Sequence, residues 1–588
     1  MCGIFAVVSD PKKSKLSATS IVLEGLKKLE YRGYDSWGIA VSAKNKLFVD
    51  KHVGKITSAK PKLPQSSTGL GHTRWATHGK VSDRNAHPFV GCRKQIGLVH
   101  NGIIDNYQDL HKKLKNKHSF KSETDSEVLL HLIEEYVQKY SFREAVRKAF
   151  KQAQGLNAIL CIKNGVVIAA KTGSPLVVGH SKGQNFIASD LWSILDHTPR
   201  VSFLKDGELV EITSSRVNFF NIKSGHKIKP KIKKINWKQQ SASKQNFPHF
   251  MLKEIHEQPE IIERLLVDKQ QETKDLATMI KKANETFFVA CGTAAYAAYA
   301  GQYFFSELAK VHTDAAVGSE FIYNVDFLKK GSLVIALSQS GETIDTVQSV
   351  QQGKQYGAKV ACLTNVLGST LYRESDKKIL LDCGPEIGVA STKAFIAKIT
   401  LLLMTAGYMN GDVKNVQKQI KQASLASVHI LKPDYQNKIK KLARKIIRSQ
   451  SMFVVGRGVS YTSALETALK IKEISYIHAE GLAGGELKHG PIALIKKGTP
   501  IVVFAPEDET YNDMISGAME MKARGGLIIG VTTKPHEVFD IILPITDCGN
   551  ATIIPSIVVG QTLAYNLATL RGIDPDKPRN LAKSVTVK

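Results

Sequence analysis

A thiol and an amine meet at the start of the chain. Cys2 follows Met1 and precedes the small Gly3; once Met1 is removed, the α-amine of Cys2, with a reference pKa of about 8, can take the proton of its own thiol. The other reading of the same residue is an ordinary strand cysteine. Downstream, GHTRWATHG at 71–79 places Arg74, Trp75, Thr77 and His78 in one loop, VHNGIIDN at 99–106 offers Asn101 and Gly102, and SETDSE at 122–127 offers Asp125 at a helix start. An Arg clamps an α-carboxylate, an Asp receives an α-ammonium, and an Asn amide beside a Gly N–H forms an oxyanion hole. Together they fit an amino-acid amide. The competing reading makes His72, His78 and His87 solvent-facing loop histidines or a zinc site, but no Cys or acidic ligand falls at matching spacing.

A second chemistry sits farther on. SQSGET at 338–343 follows the apolar strand LVIAL and precedes a helix near Ile344. Hydroxyls plus free backbone N–H groups at a helix N-terminus make an anion site suited to a sugar phosphate; the alternative is a Ser-rich capped turn. CGT at 291–293 and VASTK at 389–393 could complete that pocket. Glu466, Lys470 and Glu473, spaced by four and three, share one helical face, either as a surface ladder or as a catalytic trio.

The elements that must position these residues change character along the chain. To about Trp237 short β-rich runs (GIFAVVS, GIAVSA, IGLVHNGII, AILCIKNGVVIAA, QNFIASD, GELVEIT) alternate with Gly-bearing turns, interrupted by helical stretches at Ser17–Leu29 and Ser126–Lys139. This reads as an α+β sandwich. A polar, basic, Pro-bearing linker is expected at 238–248. Beyond it, buried strands recur in two sets: FFVACGT and MFVVGRG, SLVIALSQ and TPIVVFAP, KVACLT and LIIGVT, offset by about 165–168 residues, as expected of a duplicated α/β unit with parallel sheets. The division expected is 1–237, a linker at 238–248, repeats at 249–420 and 421–572, and a tail at 573–588 whose role requires docking.

Composition sets the outer bounds. With 588 residues, 43% of them apolar, the chain needs several cores. Its longest apolar runs, such as Ile501–Ala505, are strand-sized against the roughly 20 residues a bilayer demands, and the apolar N-terminal run precedes the basic cluster, the reverse of a secretory signal; a cytoplasmic location is expected. The seven cysteines show no CxxC pair and no zinc spacing, so neither a disulfide framework nor a metal site is indicated. A net charge of +28 raises the question of a polyanionic partner. Residues 1–240 hold 40 basic and 19 acidic side chains and so most of the excess, dispersed except between Lys223 and Lys238, without interleaved aromatics. A solvated basic surface is the expectation, with no nucleic acid and no membrane as partner.

MCGIFAVV, LEYRGYDS, GHTRWATHG, HNGIIDN and SETDSE resemble, in order over some 220 residues, the glutaminase domain of class II amidotransferases. The resemblance implies an N-terminal nucleophile (Ntn) hydrolase fold in which Cys2 attacks the glutamine side-chain amide, releasing ammonia from a glutamyl thioester. By it, Asn101 and Gly102 stabilise the oxyanion, Arg74 and Asp125 hold the glutamine backbone with Thr77 and His78 nearby, and Trp75 gates an apolar ammonia conduit. Trp37, in DSWG, stands where the family pattern has a small residue.

The later motifs, with ALKIKEISYIHAE at 468–480, GELKHGP at 485–491 and PRNLAKSVTV at 578–587, resemble the duplicated sugar isomerase (SIS) fold of the amidotransferases that convert L-glutamine and fructose 6-phosphate to glutamate and glucosamine 6-phosphate, in their compact bacterial form. That resemblance implies phosphate binding by Thr293, Ser338, Gln339, Ser340 and Thr343 and sugar contacts from Val389 and Ser391. It implies ring opening by His489, an imine at Lys583, and proton transfer by Glu473 assisted by Lys470 and Glu466. It also implies a homodimer in which His489 crosses the interface, and no cofactor. Ala294 replaces the usual Ser after CGT, so one phosphate hydrogen bond is expected to be lost. The rivals are another keto-sugar phosphate acceptor, and a sugar-phosphate-binding regulator with a vestigial glutaminase; the regulator needs neither Glu473, His489 nor Lys583.

Overall fold

The computed structural model describes residues 2–14, 16–235 and 243–586. The first five residues of the expected linker, 238–242, lie outside the described residues. Two compact units are present: Met1–Gln239 with Ser584–Lys588, and Gln240–Lys583.

In the first unit an eight-stranded and a seven-stranded sheet face each other across apolar side chains. Strand β1 (Gly3–Ser9) is wholly buried. Helix α1 (Ala18–Leu29) follows, its N-terminus capped by the Ser17 hydroxyl accepting from Ser20 N, with Ile21, Val22, Leu26 and Leu29 buried at helical spacing. Strand β2 (Thr68–Arg74) and Gln184–Ala188 pair antiparallel with β1 on its two sides. Strand β3 (Gly97–Asn101) belongs to the opposite sheet, which is covered by α2 (Tyr107–Leu114) and α3 (Ser126–Val137). The predicted sandwich and both predicted helices are found, with α3 two residues shorter than expected.

Where β2 meets β3, histidines replace aliphatic packing. His72, His87 and His100 are all buried; the rings of His72 and His87 lie 4.3 Å apart, and His87 sits edge-on to Phe89 at 4.5 Å. The expectation of solvent-facing loop histidines is corrected for His72 and His87. Burial lowers His72 to about 3 and holds His87 and His100 below their ordinary range, so all three are neutral.

The second unit holds two five-stranded, wholly parallel sheets. The first repeat contains β4 (Glu285–Ala290), α4 (Thr293–Glu307), β5 (Ser332–Ser338), α5 (Ile344–Gln355) and α6 (Lys393–Asn410). The second contains β6 (Ser451–Gly456), α7 (Val459–Ser475) and α8 (Ile553–Leu570). In the first sheet β4 lies between Asp314–Val317 and β5, followed by Lys359–Thr364 and Lys377–Leu380. In the second, β6 lies between His478–Ala483 and Pro500–Ala505, followed by Leu527–Thr532 and Ile541–Pro544. Each sheet runs second, first, third, fourth, fifth strand, so the duplication read from the strand offsets is one topology used twice. The order reverses beside β4 and beside β6, and a ligand crevice opens at such a switch point, at the carboxyl ends of the strands.

Helix α8 is buried along Ile553–Ala568. The segment Gly549–Leu570 is long and apolar enough to cross a membrane; its 18-residue apolar stretch has mean hydropathy 1.4 and is 89% buried inside the protein. This corrects the expectation that no apolar run approaches that length; Gln561, Thr562 and Asn566 break the run in the sequence, and all three are buried in the core. Helix α7 packs on α8 so closely that a Cβ at Gly560 would lie 2.0 Å from Thr467 Oγ1.

Gly560→Ala is expected to destabilise the protein by about 1–3 kcal/mol through overpacking, and Thr467→Ala to recover part of that loss, read as a double-mutant cycle in denaturant. For the histidines the sign follows from pKa values below those of the unfolded chain: between pH 6.5 and about 3 the unfolded state of His72 binds the proton and the folded state does not. Stability is therefore complete above pH 6.5 and falls on acidification. Melting temperatures measured from about pH 7.5 to 5 should drop, and His87→Phe should flatten that slope.

Candidate active sites

Around Cys2 the first unit forms a cleft. The thiol is bracketed by one residue: Trp75 N donates to Cys2 Sγ at 3.3 Å and Sγ donates to Trp75 O at 3.5 Å. Burial pushes the Cys2 thiol above its ordinary value, opposed by the chain's terminal ammonium and by Arg74. Asn101, at the end of β3, donates from Nδ2 to Cys2 O at 2.9 Å, while its Oδ1 accepts from His72 Nε2 at 3.2 Å. The same His72 nitrogen reaches His100 O at 3.1 Å; two acceptors make it the protonated nitrogen, and this fixes the Asn101 amide with its N–H₂ toward Cys2. Gly102 has φ +140°, and a Cβ there would meet Leu156 O at 2.4 Å, so only glycine continues the chain past Asn101.

Arg74, at the end of β2 and buried, donates to the carbonyls of His78, Gly79 and Lys80. It thereby folds the loop that carries Thr77, which is exposed, and His78, which is half-buried with its ring 5.5 Å from Tyr107. Asp125, buried at the start of α3, accepts from Ile104 N at 2.7 Å. Cys2, Arg74, Trp75, Thr77, His78, Asn101, Gly102 and Asp125 all line the cleft. Sequence reasoning missed three contributors. Asp35 accepts from Ala76 N at 2.8 Å and pins the Trp75 loop; it was visible inside LEYRGYDS. His72 orients Asn101, as above. Thr586, inside the quoted PRNLAKSVTV, also lines the cleft, and nothing in that motif ties it to the thiol. Trp37 does not line the cleft: its ring lies 5.2 Å from His52 on the neighbouring strand.

In the second unit, Ser338 ends β5 and Thr343 caps α5, their hydroxyls 3.0 Å apart. Ser338 Oγ accepts from Gly341 N at 3.0 Å, and Ser340 Oγ accepts from Glu342 N at 3.1 Å. The loop, with Gln339 inside it, closes on itself at the switch point predicted by the strand order. Thr293 opens α4 across that switch point, after Gly292 at φ +57°; Ala294 beside it is buried.

Helix α7 carries the three charged residues, and they are no surface ladder: Glu466 is 0% exposed and Lys470 1%. Lys470 Nζ donates to Glu473 Oε2 at 2.6 Å and lies 3.7 Å from Glu466 Oε1. Burial raises the Glu466 carboxyl to about 8, opposed by Lys470 and by Thr293, so Glu466 faces the start of α4. The tail supplies the last charge. Lys583 Nζ donates to Glu386 Oε2 at 2.6 Å and to Gly388 O at 2.7 Å. Burial alone would raise Glu386, but Lys583, together with Thr392 N and Ala394 N, holds it at about 2. Ser391 Oγ donates to the same Glu386 oxygen at 3.0 Å, and Val389 N donates to Asp576 O at 3.1 Å. Glu386 also raises Lys470, so the α7 trio and the tail lysine share one electrostatic environment. Glu386 was missed, though PEIGVAS lies beside the quoted VASTK. His489 is not brought to this cluster; it is exposed on the 3₁₀ turn Glu486–His489.

The comparisons with known proteins follow the same division. A glutamine amidotransferase domain model matches residues 59–218, and an SIS domain model matches 279–407 and 445–540. Among solved structures, the C-terminal domain of glucosamine-fructose-6-phosphate aminotransferase from Francisella tularensis is 33% identical with a TM-score of 0.54, covering 57% of this chain and 100% of that one. Over full length, curated relatives named glutamine–fructose-6-phosphate aminotransferase [isomerizing] are 38% identical in Clostridium acetobutylicum and 40% identical in Thermococcus kodakarensis, with 100% of both chains covered. The chain belongs to the glutamine–fructose-6-phosphate aminotransferase (isomerizing) family.

Proposed function

We propose that this protein transfers ammonia from glutamine to fructose 6-phosphate and isomerises the product to glucosamine 6-phosphate, releasing glutamate and opening amino-sugar synthesis. The observation that carries the reading is the end-to-end similarity to relatives of that activity, on a chain that holds both a thiol cleft and a sugar-phosphate crevice. The working division is a glutaminase at 1–237, a linker at 238–248, sugar isomerase repeats at 249–420 and 421–572, and the tail.

In the glutaminase, Cys2 Sγ attacks the amide carbon after its proton passes to the α-amine exposed by loss of Met1. Asn101 Nδ2 and Gly102 N face the oxyanion that forms. The proton then goes to the departing nitrogen as ammonia leaves, and water hydrolyses the thioester to glutamate. Arg74 and Asp125 hold the two charged ends of glutamine, Thr77 and His78 complete the cleft, and Trp75 gates the ammonia.

In the isomerase, Thr293 and the Ser338–Thr343 loop take the phosphate, with Val389 and Ser391 against the sugar. His489 opens the ring. Lys583 forms an imine at C2 and loses water; Glu386 is placed to receive the proton Lys583 sheds before attacking. Ammonia displaces Lys583, and Glu473 moves a proton from C1 to C2, leaving an aldehyde at C1 and an amine at C2. Lys470 holds Glu473 in place and Glu466 holds Lys470. The exposure of His489 on its own chain favours a homodimer in which the partner completes the site, and seven free cysteines favour a cytoplasmic setting.

The pure protein given glutamine and fructose 6-phosphate is expected to form glucosamine 6-phosphate and glutamate in equal amounts; glutamine hydrolysis without amino sugar would redirect the ammonia to another acceptor. Cys2→Ala should abolish glutamine-dependent synthesis while sugar-phosphate binding, measured calorimetrically, persists. Lys583→Ala should stop synthesis and spare glutamine hydrolysis, and Glu386→Gln should slow synthesis by about 10²-fold or more. Synthesis surviving in Lys583→Ala would remove the imine from the mechanism.

A further inference from the structure

Cys92, His118, His131 and Glu134 converge on one point of the first unit, away from the cleft. Cys92 lies in the turn between Phe89–Val90 and β3, His118 in the connection from α2 to α3, and His131 and Glu134 one turn apart on α3. One ligand atom from each lies within 4.8 Å of all the others. The contacts are 3.6 Å from Cys92 Sγ to His118 Nδ1 and 3.9 Å to His131 Nδ1, with Glu134 Oε2 at 3.4 Å from His118 Nδ1 and 2.8 Å from His131 Nδ1. Tetrahedral zinc with bonds of about 2.0–2.3 Å separates its ligand atoms by roughly 3.3–3.7 Å, which brackets the middle of this range.

Three further features mark the cluster as built. Each imidazole turns Nδ1 inward and Nε2 outward: His118 Nε2 hydrogen-bonds Glu135 Oε1 at 3.0 Å, and His131 Nε2 lies 3.6 Å from Glu127 Oε1, beyond hydrogen-bond reach. At His118 this is the carboxylate–histidine arrangement that orients metal-bound imidazoles. Glu127 is itself held by Lys121 N, Ser122 N and Ser122 Oγ. Next, the Glu134 carboxylate occupies space that only glycine leaves: a Cβ at Gly91 would lie 2.2 Å from Glu134 Oε1. Last, the two rings stack with centroids 4.7 Å apart, each directing Nδ1 at the same Glu134 oxygen. For His118, an Nε2–H donated to Glu135 leaves the Nδ1 lone pair facing inward, where a metal ion takes it.

We propose that Cys92, His118, His131 and Glu134 form a tetrahedral zinc site that staples the turn before β3 and the α2–α3 connection to helix α3. A thiolate and a carboxylate neutralise the divalent ion, and four protein ligands leave no open position, so the site is structural. It braces the two elements that end in Asn101 and begin at Asp125. Sequence spacing hid it, because Cys92 lies 26 residues from His118 and 39 from His131.

The test uses the full chain carrying Cys2→Ala, so that the nucleophile cannot contribute a ligand, stripped with a chelator and titrated with Co²⁺. One equivalent per chain is expected to give the intense visible bands of a tetrahedral site and a thiolate charge-transfer band, both bleached by one equivalent of Zn²⁺. Adding Cys92→Ala should remove the charge-transfer band and weaken zinc by at least about 100-fold, and His118→Gln carries the same loss of affinity should the first variant not fold. Glu135→Gln, which reaches the cluster only through the outer nitrogen of His118 and otherwise pairs with the exposed Lys117, should keep the spectrum and weaken zinc by about 10–100-fold. Zinc should raise the melting temperature of the Cys2→Ala protein and leave that of the Cys92→Ala variant unmoved. Octahedral cobalt, no stoichiometric binding, or a charge-transfer band that survives Cys92→Ala would overturn the proposal.

Discussion

Lys583 takes a positive charge to a place where its side chain is 3% exposed, and Glu386, fully buried, meets it there. Neither charge is tolerable alone: removing one partner of a buried pair costs about 3–5 kcal/mol because the other is left uncompensated. The tail as far as Lys583 is therefore an integral part of the second unit. Asp576 completes the attachment, accepting from Phe250 N and Met251 N, each at 2.8 Å, at the start of the unit's first helix. A segment with no apolar face of its own docks by satisfying charges and backbone donors that the rest of the unit leaves open.

The thiol cleft is held by a different economy. Its supports are neutral histidines, an asparagine amide and backbone groups, and its one buried cation, Arg74, is engaged by three carbonyls of its own loop. Such a site keeps the geometry of Asn101 independent of nearby charge, since the His72 proton that fixes its amide stays on Nε2 throughout the neutral range. Among the described residues Arg74 is the one Lys or Arg side chain lining the cleft. Other basic residues of this part of the chain, such as Lys12, Lys44, Lys60 and Lys223, lie on the exposed surface.

What could be read from the sequence was whatever repeats or stays local. The parallel sheets were legible because their strands are short buried runs recurring at one offset, and the Ser338–Thr343 hydroxyl loop because strand, hydroxyls and helix start are contiguous. The thiol cleft was legible through motifs that each hold their own loop together. Pairings that only the fold creates were not: Glu386 and Lys583 are 197 residues apart, and Thr586 reaches a cleft whose other residues end at Ser126. The burial of Glu466 and Lys470 was invisible for another reason, because a Glu–Lys–Glu spacing looks the same on a wet face as on a dry one.

The two repeats show what duplication kept and what it released. Gly292 and Gly458 adopt nearly the same conformation, φ 57° and ψ −134° against φ 55° and ψ −137°, each ending a strand and opening a helix. Counting from these glycines, Glu466 and Lys470 on α7 occupy the positions that Ala300 and Phe304 occupy on α4, and all four are buried. The first repeat uses that face for packing; the second places there a carboxyl raised to about 8 beside a buried lysine, a kind of pair that well-packed apolar side chains often replace without loss of stability. In the crevice the exchange runs the other way, with hydroxyls at Ser338–Thr343 and the exposed acids Glu507, Asp508 and Glu509 at the matching turn. At the positions where the first repeat packs Ala300 and Phe304, the second therefore holds a buried carboxyl beside a buried lysine, groups that can exchange a proton, and Thr293 at the start of α4 lies against that carboxyl.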